Sequence, residues 1–84
     1  MEDQWVLTLV GAFETGEDAL IRKALANVAR ARGMAAVAAD ADLSRQSIYK
    51  SLSEKGAPKF STLKNILDAL GMEFTVKLKD AKAA

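Results

Sequence analysis

The chain has 84 residues, 50% of them apolar, a formal net charge of +1, and neither cysteine nor histidine. That length supports one domain over residues 1–84, with a core small enough for association with a second copy to add useful stability. The missing residue types exclude disulfides and thiolate or imidazole metal sites, so neither a metal nor a cofactor is expected.

Residues 4–13 place Trp5, Leu9 and Phe13 at four-residue spacing, which suits one face of a helix. Trp5, Val6, Leu7 and Val10 also favour a strand; helix is the preferred reading. Thr15-Gly16 interrupts the pattern, and Thr15 followed by Asp18 resembles a helix start with an acidic first turn. Over residues 17–32, Leu20, Ile21, Ala24, Leu25, Val28 and Ala29 form an apolar stripe, with Arg22, Lys23, Asn27 and Arg30 on the other side. Gly33 should end this helix, just after Arg30 and Arg32, whose charges complement its C-terminal dipole.

Residues 34–41 and 44–52 read as two short helices broken by a tight turn. Val37, Ala38, Ala41, Leu43, Ile48 and Leu52 supply the small apolar faces that press them together, and the abundant alanines let helix axes approach closely. Ser44 is placed to N-cap the second helix. Residues 53–60, SEKGAPKF, form a polar loop punctuated by Gly56 and Pro58. Ser61 is expected to cap a helix over residues 62–70, with Leu63, Ile66, Leu67 and Leu70 inward and Gly71 as its stop. In residues 72–78 the period changes to two: Met72, Phe74, Val76 and Leu78 alternate with Glu73, Thr75 and Lys77, which predicts a strand. A lone strand leaves unpaired edges. The same strand of a second subunit is expected to pair with it and build a homodimer, with residues 5–10 of the same chain as the alternative partner. The remaining tail, KDAKAA, reads as frayed.

The fold class that follows is mainly α: five helices, a helix-turn-helix over residues 34–53, and a short C-terminal β-strand. In such a unit the second helix enters the DNA major groove. Arg45 and Gln46 stand at the start of that helix, where Arg45 can meet guanine O6 and N7 or grip phosphate, and Gln46 can pair with adenine. One turn on, Tyr49 suits a thymine methyl, a phosphate or packing against the next helix, and Lys50 suits phosphate. Ser44 can donate to phosphate while capping, and Lys55, Lys59 and Ser61 flank the loop expected to face the DNA backbone. The bland alternative is an ordinary solvated surface.

Charge placement favours the DNA reading modestly. Residues 1–20 carry five acids (Glu2, Asp3, Glu14, Glu17, Asp18) and no base. Residues 21–60 carry eight bases (Arg22, Lys23, Arg30, Arg32, Arg45, Lys50, Lys55, Lys59) against Asp40, Asp42 and Glu54. The acidic start, with Trp5 and Phe13, offers a docking surface for a basic protein. Without histidine, cysteine or a glycine-rich phosphate loop, an enzyme is not expected. The longest apolar run, residues 5–10 interrupted by Thr8, is too short to cross a bilayer, and cytoplasmic residence is the expectation.

Four motifs together carry a family resemblance: VARARGM at residues 28–34, LSRQSIYK at 43–50, SEKGAPKF at 53–60, and the amphipathic stretch ending Leu70-Gly71. Over residues 17–76 the chain resembles the addiction-module antidote proteins, relatives of the Xre/Cro-like helix-turn-helix regulators. The resemblance implies the antitoxin of a type II toxin–antitoxin pair, which binds a small ribonuclease-type toxin and represses the shared operon. Two departures stand out: Asp42 occupies a turn position usually held by glycine, and the helix before it is alanine-rich where relatives carry polar residues. Two other functions compete. One is a phage-type Cro-like repressor without a toxin; the other is a toxin-binding interaction protein whose helix-turn-helix is scaffold only.

Overall fold

The computed structural model describes residues 4–76, which form five helices in the order α1 (Gln4–Thr15), α2 (Asp18–Arg32), α3 (Met34–Asp40), α4 (Arg45–Ser51) and α5 (Phe60–Ala69). The first segment is helical because its large apolar side chains recur every fourth residue. Leu9 is fully buried, and Trp5 and Phe13 pack beside it against the core. Thr15 closes the junction to α2: its hydroxyl donates to the Ala12 carbonyl at 2.6 Å and accepts the Glu17 N–H at 3.1 Å. The cap expected from Thr15 therefore serves the end of α1, while Glu17 stands at the N-cap of α2 without a side-chain bond.

α2 supplies Ala24, Leu25, Ala26, Val28 and Ala29 to the core, and Gly33 (φ 101°) ends it and leads directly into α3. α1 packs on α2, and α3 packs on α2, α4 and α5, which makes α3 the hub of the carboxyl half. Its small residues permit this. Met34, Val37, Ala38 and the following Ala41 are all buried, and alanine Cβ atoms let three neighbours approach one short helix.

Two helix ends use the same device. After α3, Leu43 N–H reaches back to Ala38 O (2.8 Å) and Asp42 N–H to Ala39 O (3.1 Å), with Asp42 at φ 61°. After α5, Met72 N–H bonds Leu67 O (2.8 Å) and Gly71 N–H bonds Asp68 O (3.0 Å), with Gly71 at φ 82°. Both are Schellman closures, in which a left-handed residue turns the chain and the next apolar side chain folds onto the helix it has just left. Leu43 and Met72 are those side chains, and both pack against the core.

The carboxyl end departs from expectation. Residues 72–76 form no regular secondary structure, no strand ladder is present among the described residues, and residues 77–78 of the expected strand lie outside them. A strand needs a paired neighbour, and α1, the candidate within the chain, is helical. The alternating side chains are used for packing instead. Phe74 lies edge-on to Phe13 (centroids 5.9 Å apart) and stacks on Phe60 (4.9 Å). Val76, the next residue in the alternation, is 95% exposed. α5 also starts two residues earlier than expected. Lys59 is its N-cap residue, in extended conformation, Phe60 opens the helix, and Ser61 lies inside the first turn instead of capping it.

Candidate nucleic-acid interface

The turn between α3 and α4 fixes the direction of α4. Asp42 adopts the left-handed conformation that glycine accepts more readily, and Leu43 anchors the far side of the turn. Ser44 is extended (φ −76°, ψ 160°), and its Oγ accepts the Ser47 N–H at 3.0 Å, satisfying one of the orphan donors of α4. The same hydroxyl donates to Ser47 Oγ at 2.9 Å, so a phosphate reaching Ser44 would compete with Ser47 for its proton.

α4 is two-sided. Ile48, followed one turn later by Leu52, is buried against the core. Arg45, Gln46, Tyr49 and Lys50 are all exposed, Tyr49 by 45%. Residues 45 and 49, 46 and 49, and 46 and 50 are neighbours on a helix surface, so the four make one contiguous polar patch. Among the described residues, none of these four side chains has a hydrogen-bond partner in the chain.

The loop after α4 is held tightly. Ser53 donates through both N–H (3.3 Å) and Oγ (2.9 Å) to the Lys50 carbonyl, and Gly56 N–H bonds Ser53 O at 2.9 Å. From α2, Arg22 donates through Nε to Ser53 O (3.1 Å) and through Nη2 to Glu54 O (2.9 Å). Lys50 and Lys55 thereby line one open cleft of about 520 Å³ with Ser53, Gly56 and Pro58. Lys59 and Ser61 are exposed at the start of α5 but do not line that cleft.

Arg22 and Gly56 are the residues that sequence reasoning undervalued. Arg22 was assigned to the solvent side of α2, whereas it is half-buried and satisfies two loop carbonyls. Gly56 counted only as a helix breaker. A Cβ there would stand 2.7 Å from Lys50 O and 2.8 Å from the Ser51 carbonyl carbon, so the loop lies too close to the last turn of α4 for any side chain. A glycine five residues past a short helix gives no signal that separates a tight approach from a simple turn. Arg32 is likewise engaged, its guanidinium lying 5.1 Å over the Trp5 ring. Trp5 and Phe13, read as docking residues, are both committed to contacts within the chain.

Comparison with known proteins places this arrangement. A family model described as "Probable addiction module antidote protein" matches residues 2–78. An uncharacterized protein of Haemophilus influenzae is 45% identical over 58 residues, covering 69% of this chain and 60% of the relative. No solved structure matches. The chain belongs to the addiction-module antidote family.

Proposed function

We propose that this member of the antidote family is the antitoxin of a type II toxin–antitoxin module and binds the operator of its own operon through α4. The observation that carries the DNA part is the polar patch of Arg45, Gln46, Tyr49 and Lys50, exposed on the side of α4 opposite Ile48 and Leu52. In this reading α3 and α4 are the helix-turn-helix of an Xre/Cro-like domain. Arg45 and Gln46, at the N-terminal end of α4, read base edges. Lys50 and Lys55, sharing a cleft beside the helix, hold one stretch of phosphate backbone, with Ser44, Tyr49, Lys59 and Ser61 at its margins. No step of this function calls for a catalytic group, so the protein acts by binding alone.

A two-fold dimer belongs to the same proposal. One α4 reads only a few base pairs, and a second copy of the chain would place two such helices on a palindromic site. No helix among the described residues is long and apolar enough to cross a membrane.

The test is binding to the DNA upstream of the gene across a salt series, with and without the product of the neighbouring reading frame. Specific binding that Arg45→Ala with Gln46→Ala reduces to the level of random DNA is the expected result. An unchanged footprint and affinity for that double variant would refute the groove assignment.

A further inference from the structure

Helix α1 carries a glycine in its interior that the fold does not use. Gly11 costs roughly 0.5–1 kcal/mol of helix stability relative to alanine. A Cβ built there meets no atom of another element within 4 Å, so nothing among the described residues requires its absence. Around it the surface is apolar and open. Leu7, one turn before, is 71% exposed, and Val10 is 41% exposed.

Val10 also lines a groove of about 430 Å³ between α1 and residues 72–75, together with Phe13, Glu14, Met72, Glu73 and Phe74. The groove floor is apolar, and among the described residues both of its charged lining groups, Glu14 and Glu73, are carboxylates. A two-fold contact of this groove with its own copy would set Glu14 and Glu73 against Glu14 and Glu73, which like-charge repulsion disfavours. No residue of α4 or of the loop after it contributes to the groove, so its occupation leaves the proposed DNA surface free.

We propose that the groove between α1 and residues 72–75, with Val10 and Glu14 on its α1 side and with Leu7 and Gly11 beside them on the helix surface just outside it, receives an apolar and basic segment of the toxin. This rests on the antitoxin reading given above. The partner's apolar side chains cover Val10 and Met72, its Lys or Arg groups face Glu14 and Glu73, and its backbone passes close over Gly11, where any side chain would hold it off. Free of partner, the exposed apolar surface at Leu7 and Val10 is a standing cost in solubility that binding removes.

The experiment uses the full chain with the small protein encoded beside it, co-expressed and titrated by calorimetry. Gly11→Leu is the central variant, because it favours the helix and so keeps or raises the melting temperature. Its affinity for the toxin should fall by about 10-fold or more, because a bulky side chain beside the groove holds the partner off its rim. Val10→Lys with Glu14→Lys should lose binding to a similar degree, while Glu17→Lys, an acid outside the groove, should not. All four proteins should shift operator DNA equally. Toxin binding unchanged in Gly11→Leu and in the lysine pair overturns the groove while leaving the antitoxin reading intact. Failure of the wild-type chain to bind the neighbouring protein, or absence of such a neighbour, overturns both. If the variants instead change the sedimentation of the chain alone, the groove belongs to a second copy and the toxin assignment is wrong.

Discussion

Replacing Gly56 with alanine tests whether the loop after α4 is as closely held as its geometry indicates. Carbon–oxygen contacts ordinarily settle near 3.3–3.6 Å. A Cβ at position 56 would fall 2.7 Å from Lys50 O, about half an ångström or more too close, and nearer still to Ser51 O. The obstructing atoms are backbone of the last turn of α4, which the buried Ile48 and Leu52 hold against the core. Relief must therefore come from the loop, and Arg22 binds that loop through Ser53 and Glu54. Overpacking costs about 1–3 kcal/mol, and weakening two partly solvated hydrogen bonds adds about 1 kcal/mol, so the expected loss is about 2–4 kcal/mol. In a domain of this size that lowers the melting temperature by roughly 10–30 °C. Urea unfolding followed by Trp5 fluorescence measures it. Arg22→Ala alone should cost about 1 kcal/mol, and the double variant should cost less than the two singles together by at least about 0.5 kcal/mol, because each displaces the same loop. A Gly56→Ala protein within about 0.5 kcal/mol of wild type, or strict additivity, would refute the reasoning.

Ser44→Ala removes the only side-chain cap of α4 among the described residues and should cost about 1 kcal/mol, whereas Ser44→Asp should retain most of it; thermal unfolding distinguishes them. Asp42→Gly relieves the left-handed backbone at φ 61° and should raise stability by about 0.5–1 kcal/mol without altering operator affinity, measurable by the same melts. Lys50→Ala and Lys55→Ala, one at a time, should weaken binding to operator and random DNA alike and each shallow the salt slope by about 1. Arg45→Ala with Gln46→Ala should instead erase the difference between the two DNAs.

Periodicity made the helices legible, because burial of one face at a 3.6-residue repeat is what decides a helix. Trp5, Leu9 and Phe13 settled α1 against its strand-forming composition, and Ser44 announced α4 through the chemistry of its hydroxyl. Contacts between distant residues were not legible. The alternation of Met72, Phe74 and Val76 is the same whether it faces a neighbouring strand or a row of aromatics. Only the positions of Phe13 and Phe60 decide between these. Ser61 shows the same limit at short range. It has the right chemistry for a cap, but Phe60 gains a stacking partner by entering the helix, and the boundary moves to Lys59. On the candidate interface, the exposed patch of α4 followed from helix geometry, whereas Arg22 reached its loop across 31 residues of sequence and left no local trace.

That distinction changes how the basic segment should be weighed. Eight bases between residues 21 and 60 suggest eight phosphate contacts if each is free. Arg22 is committed to two carbonyls, Arg32 to the Trp5 ring and Arg30 to Asn27 Oδ1 at 3.3 Å, and Lys23 lies with Arg30 on α2. Four remain on or after α4: Arg45, Lys50, Lys55 and Lys59, all exposed. With about 0.9 counterions released per neutralised phosphate, the logarithm of the binding constant should fall with the logarithm of salt at a slope of about −3.6 per bound chain, against about −7 if all eight took part. A measured slope near −7 would mean that the contacts of Arg22 and Arg32 open on DNA. The loop that Arg22 braces would then be a moving part of the interface instead of its fixed frame.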